Sequence, residues 1–70
     1  MPSPHRQARI YAMREHLNAH ILMAKEELEL FFDNPVGIVA NADYFKDIED
    51  KVCELAEYEG ALEALDKHFA

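Results

Sequence analysis

Seventy residues suffice for one small domain, and so short a chain buries too little surface to be robust without a metal, a disulfide or a second subunit. Half of the residues are apolar, which excludes a disordered tail. The single cysteine excludes an internal disulfide and favours a reducing compartment, and the alternative is a disulfide that bridges two chains. The net charge of −7 argues against binding to duplex nucleic acid. No apolar run reaches the roughly 20 residues of a membrane span and no signal peptide is recognised, so we expect a cytoplasmic protein without a membrane partner.

The first predicted helix covers about residues 4–33. Ser3 is a suitable N-cap, and Pro4 suits the first helical position because its missing amide hydrogen would have no partner there. Pro35 ends the helix by disfavouring helical geometry at the residue before it. The apolar side chains form one stripe, broken at Arg14, that is typical of packing along a second helix: Ile10, Leu17, Ile21, Ala24, Leu28 and Phe31.

The connection, at about residues 34–41, is apolar in its middle. Gly37 is suited to reversing the chain, because glycine adopts a positive φ at little cost. Ile38 and Val39 are then expected to fold back and close the end of the core; the alternative is an exposed hydrophobic docking tip. So short a connection predicts that the two helices are antiparallel neighbours.

The second predicted helix covers about residues 42–69. Asn41 or Asp43 caps its start, and acidic residues near its beginning and basic residues near its end complement the helix dipole. Its apolar stripe predicts a partner helix in the same way as that of the first helix. The stripe consists of Ile48, Leu55, Leu62 and Phe69, widened by Tyr44, Val52, Tyr58 and Leu65.

Charge is distributed unevenly along the chain. Residues 1–25 hold four basic side chains against one acidic, whereas residues 26–70 hold thirteen acidic against three basic. In an antiparallel hairpin the basic start of the first helix lies beside the acidic end of the second. We therefore expect Arg14 to face Glu59 or Glu63.

Two histidines suggest a metal site. His16 and His20 are four residues apart and share one side of a helix, as in helical zinc sites. Met13 and Met23 extend the stripe into a set that suits a soft metal such as Cu(I). The second helix offers no obvious third ligand. We expect no metal or cofactor, and a metal-binding protein that uses His16 and His20 is the alternative.

An enzyme is the function class that the sequence supports least. The acidic cluster resembles that of all-α nucleotide pyrophosphatases, which hold magnesium with EExxE on one helix and ExxD on the next, but the motifs fail at Leu30 and Val52. No phosphate-binding glycine loop, Gly-x-Ser-x-Gly or Cys-x-x-Cys occurs. We expect no catalytic residues, and Cys53, next to Val52, is expected to be a half-buried, inert thiol.

Small side chains form a row beside the apolar stripe of the second helix. Gly60 is the most informative of them, because a glycine in mid-helix costs about 1 kcal/mol relative to alanine and therefore suggests close approach by another helix. The surface expected to pack against this row is a bulkier flank of the first helix, either of the same chain or of a second copy. The predicted interface consists of Ala56, Gly60 and Ala64, next to Cys53, packed against Met13, His16, His20 and Met23.

Residues 34–69 begin with Asn-Pro-Val-Gly and continue as an acidic amphipathic helix. This pattern resembles short, uncharacterised helical proteins encoded by large tailed bacteriophages. The resemblance covers about half of the chain and implies an accessory or structural phage-type protein. It implies no activity and no site residues.

The sequence thus predicts an all-α fold, an antiparallel two-helix hairpin that dimerises into a four-helix bundle. A second copy is expected because a lone hairpin cannot cover both sides of its apolar residues. The expected function is that of a non-catalytic interaction or scaffold protein acting as a homodimer. Besides the metal-binding protein, the alternative is an acidic inhibitor that binds a host protein.

Overall fold

The computed structural model describes residues 4–33 and 43–70 of the chain. Two helices pack against each other, α1 at Pro4–Asp33 and α2 at Asp43–Phe69. The all-α class and the packed helix pair are therefore confirmed. For comparison, the helix ranges predicted from the sequence are about 4–33 and about 42–69.

Five predictions concern residues outside the described part of the chain. They are the capping of α1 by Ser3, the ending of α1 by Pro35, the chain reversal at Gly37, the packing of Ile38 and Val39 against the end of the core, and the capping of α2 by Asn41. All five stay predictions.

The helices are antiparallel, and a side chain of each helix binds a main-chain carbonyl in the last turn of the other. At the end where α1 stops and α2 starts, called the turn end here, the Tyr44 hydroxyl donates a hydrogen bond to the carbonyl oxygen of Phe31. At the opposite, open end, Nη2 of Arg6 donates a 3.1 Å hydrogen bond to the carbonyl oxygen of Phe69. Carbonyls in the last turn of a helix lack intrahelical donors, so these two bonds satisfy groups that would otherwise need water.

The core is a single seam between the helices. Its buried side chains are Leu17, Ala24 and Leu28 of α1 and Tyr44 of α2. The stripe predicted for α1 is confirmed, whereas Val52 and Phe69, predicted to belong to the stripe of α2, are 45% and 56% exposed. The half-buried side chains along the seam include Ile10, Ile21, Phe31, Ile48, Leu55, Tyr58, Leu62 and Leu65.

Arg14 pairs with a different acid from the two that the sequence suggested. Its Nη2 and Nε lie 2.6 Å and 3.0 Å from Oδ1 of Asp66, whereas Glu59 and Glu63 are exposed. Helical side chains lean towards the N-terminus of their own helix. For α1 that direction is the open end, so the long arginine side chain reaches beyond Glu59 and Glu63 to Asp66.

A hairpin of this kind exposes a large surface for its mass. The chain of 8.1 kDa exposes 5497 Å², whereas compact monomers of this mass expose about 4,500 Å². Its radius of gyration is 16.5 Å and its dimensions are 58 × 15 × 12 Å, compared with a radius of about 11 Å for a compact domain of this length. One seam therefore leaves much of both helices in contact with solvent.

Replacing Tyr44 with phenylalanine is expected to lower the free energy of unfolding by about 1 kcal/mol, because the Phe31 carbonyl loses its donor while the ring packing remains. Urea denaturation measures the change. The matched control is Tyr58→Phe, since the Tyr58 hydroxyl has no hydrogen-bond partner within the described residues, and it is expected to change stability by less than about 0.5 kcal/mol. Equal effects of the two substitutions would contradict a specific role for the Tyr44 hydroxyl.

Candidate functional site

The two histidines of the predicted metal site form part of an aromatic row. The rings of His16 and His20 meet edge to face with centroids 4.5 Å apart. His20 also stacks on Tyr58 of α2, with centroids 4.6 Å apart and an angle of 11° between the planes. His16 is exposed and His20 is half-buried. The His20 imidazole therefore takes part in the packing between the helices.

Two imidazoles alone make an incomplete metal site, because structural zinc is held by four ligands and catalytic zinc by three. Within residues 4–33 and 43–70, no group of three or more His, Cys, Asp or Glu side chains comes together in a way that could hold a metal ion. The expectation of a half-buried Cys53 is wrong, since this thiol is exposed. Tyr58 and Cys53 are five positions apart and so lie on different sides of α2.

Lys51 occupies the α2 seam and joins the two helices through ion pairs. Its Nζ lies 2.8 Å from a carboxylate oxygen of Glu27 on α1 and 2.8 Å from one of Glu54 on α2. Hydrogen bonds to Glu27 and then to Glu54 raise the pKa of Lys51 above its ordinary value of 10.5. The amine stays protonated at neutral pH, so it acts as a cation between two carboxylates and offers no base or nucleophile.

Within one chain, the structure does not bring the two halves of the predicted interface together. Met13, His16 and Met23 are exposed along one flank of α1, with His20 half-buried beside them. Ala56, Gly60 and Ala64 are exposed on α2, and a Cβ atom added at Gly60 would meet nothing within 4 Å. A contact between these two sets in two copies of the chain stays a prediction.

Sequence reasoning missed a second surface. Phe32 follows Arg14 by eighteen residues and Val52 precedes Asp66 by fourteen, and both spacings are close to whole numbers of helical turns. Phe32 and Val52 therefore lie on the side of the hairpin that carries the Arg14–Asp66 ion pair. We call this side the apolar face, and its exposed large side chains are Tyr11, Leu22, Phe32, Phe45 and Val52.

The opposite side carries the aromatic row and the Glu27–Lys51 ion pair, and we call it the histidine face. Met13, His16, His20 and Met23 lie there. The signal for the apolar face was present in the sequence, because Phe45 and Val52 are seven residues apart and Tyr11 and Leu22 are eleven apart. Each pair lies beside the main apolar stripe of its helix. Val52 was assigned to that stripe, and the other three residues were not recognised as part of a second surface.

Comparison with known proteins gives no relative. No protein-family model matches the chain, and no significant match is found among curated proteins or solved structures. The resemblance of residues 34–69 to bacteriophage proteins therefore stays a proposal. Neither of the two described helices is apolar over enough of its length to cross a lipid bilayer.

Substituting alanine for Gly60 is expected to raise the free energy of unfolding by about 0.5–1 kcal/mol, because the position is open and alanine restricts the unfolded chain more than glycine does. Urea denaturation checks this. Ala64→Gly, on the same exposed surface, is the reverse control and is expected to destabilise by a similar amount. If Gly60→Ala instead destabilised the protein, a second copy would have to pack closely against Gly60.

Zinc is expected to give no saturable binding at micromolar protein concentration, because His16 and His20 have no further ligand within the described residues. Calorimetric titration and a parallel melting curve measure this, since a metal that binds only the folded chain raises the melting temperature. The control is the double variant His16→Ala/His20→Ala. Stoichiometric heat in the wild type that vanishes in this variant would support the metal-binding alternative.

Proposed function

We propose that the chain is a non-catalytic interaction module that acts as a homodimer, in which two hairpins pack into a four-helix bundle. The supporting observation is the imbalance between its core and its surface. Among the described residues, four side chains are buried in the apolar core, and nine large apolar side chains are exposed. Exposed apolar patches on small proteins mark interaction surfaces.

The amount of exposed surface also supports a partner of similar size. The hairpin exposes 5497 Å², which is about 1,000 Å² more than a compact monomer of its mass. Each partner of a standard protein–protein interface buries about 800 Å². One interface of ordinary size therefore accounts for the excess surface.

The charged groups with described partners support a structural role. Arg14 and Asp66 join the helices towards the open end, and Lys51 joins them nearer the turn end through Glu27. These ion pairs hold the two helices in register, and their geometry offers no general acid or base to a substrate. We therefore infer a scaffold or adaptor.

We further propose a cytoplasmic location, the host cytoplasm if the protein is phage-encoded. Cys53 is a free, exposed thiol, and such thiols persist in reducing compartments. An accessory role in a phage, suggested by the Asn-Pro-Val-Gly sequence and the acidic helix, is compatible with a small dimeric adaptor.

Light scattering over a dilution series is expected to give a mass of twice 8.1 kDa at high concentration and to fall towards the monomer on dilution. The melting temperature is expected to fall with it, because association stabilises the folded state by mass action. A monomer at every concentration, with a melting temperature independent of concentration, would overturn the proposed homodimer.

A further inference from the structure

We propose that the second copy binds the apolar face, and that the two-fold axis runs parallel to the helices, so that α1 of each copy packs on α2 of the other. This inference rests on the proposed homodimer and specifies its surface and its orientation. Three observations support it: the distribution of exposed apolar side chains, their spread along the hairpin, and the distribution of charge.

The apolar face offers more uncovered apolar surface than the histidine face. Tyr11, Leu22, Phe32 and Phe45 are 61–67% exposed, and Val52 is 45% exposed. Their burial by a second copy would remove a large apolar area from water.

The histidine face carries fewer exposed large apolar side chains. They are Met13, Met23 and Leu30 of α1 and Phe69 of α2, at 49%, 50%, 71% and 56%, since Leu30 follows Met23 by seven residues and Phe69 follows Lys51 by eighteen. The same face carries the His20–Tyr58 stack and the carboxylates of Glu27 and Glu54, which hold Lys51. Desolvation of ion pairs opposes binding at either face, and it involves the three charged groups joined at Lys51 on the histidine face but the single Arg14–Asp66 pair on the apolar face.

The apolar side chains extend along the whole hairpin. Phe31 lies beside Tyr44 at the turn end, and Arg14 lies beside Asp66 towards the open end. With this register, Phe32 and Phe45 lie at the turn end, Leu22 and Val52 near the middle, and Tyr11 near the open end. A surface of this length, about 45 Å for a helix of 30 residues, matches another pair of long helices better than a compact ligand or a short peptide.

The charges select the orientation. α2 holds nine acidic side chains against three basic, whereas α1 holds five acidic against four basic, with its three arginines in the first half. An axis perpendicular to the helices would place α2 on α2, with acidic side chains opposed along its length. An axis parallel to them places the arginine-bearing half of each α1 over the C-terminal half of the other α2, which holds four acidic side chains against one lysine.

Two carboxylates of the apolar face fit this arrangement. Glu59 and Glu63 follow Val52 by seven and eleven residues and so lie on the same side of α2. No ion pair within the described part of the chain involves either of them. In the parallel-axis dimer they lie beneath the first half of the other copy's α1. Opposed charges of this kind favour one register and one orientation over the alternatives.

The first test compares matched substitutions on the two faces. Leu22→Gln/Val52→Gln removes two exposed apolar side chains from the apolar face, and Met13→Gln/Met23→Gln removes two from the histidine face. Sedimentation equilibrium is expected to show that the first pair raises the dimer Kd by at least about tenfold and that the second changes it by less than about twofold. Unchanged helical circular dichroism at high concentration shows that each variant still folds.

The outcomes separate this inference from the proposed function. A larger effect of the methionine pair, or equal effects of the two pairs, would overturn the assignment of the apolar face while the homodimer stands. A wild-type protein that is monomeric would instead overturn the homodimer itself, and the assignment with it.

The second test addresses orientation. A spin label is attached at position 33, the last residue of α1, in an Asp33→Cys/Cys53→Ser variant. With the axis parallel to the helices both turn ends lie together, and the distance between the two labels is expected to be below about 30 Å. With the axis perpendicular they lie at opposite ends of the bundle, more than about 40 Å apart. The longer distance would overturn the proposed orientation.

Discussion

The Tyr44 hydroxyl and the Phe31 carbonyl form the contact that most closely defines how the two helices meet. In a longer helix the carbonyl of Phe31 would accept from the amide of residue 35, but that residue is proline and has no N–H. Tyr44, in the first turn of α2, supplies the missing donor while its ring closes the end of the core. The Tyr44 side chain thus gives a hydrogen-bond donor to a carbonyl at the end of α1 and sets the register of α2 against α1.

The two faces of the hairpin follow from that register. With Phe31 beside Tyr44, His20 comes to stack on Tyr58, and Lys51 comes within reach of Glu27, all on one side. The same rotation of the helices leaves Val52 and its apolar neighbours exposed on the other side. The distinction between the histidine face and the apolar face is therefore a consequence of the packing.

The sequence was sufficient to predict the all-α class and the packed pair of helices, because the apolar spacing is regular. Leu17, Ala24 and Leu28 were predicted to face the second helix, and they are buried. The partner of Arg14 was predicted wrongly because counting positions ignores the direction in which long side chains lean. Val52 was assigned to the seam because the pattern of spacing does not reveal how wide a stripe one partner helix covers. The three-dimensional register was needed to separate the seam from the second surface.

The width of the covered stripe also links folding to the proposed function. A single partner helix covers only a narrow stripe of its neighbour. Among the described residues, four apolar side chains are buried. Chains of this size are marginally stable by themselves. In the proposed homodimer, association through a second stripe would add apolar burial that the hairpin lacks, so dimerisation would contribute to the stability of each subunit. The surface that mediates the proposed interaction is then also the second half of the core, which explains why an exposed site on this protein is apolar along both helices.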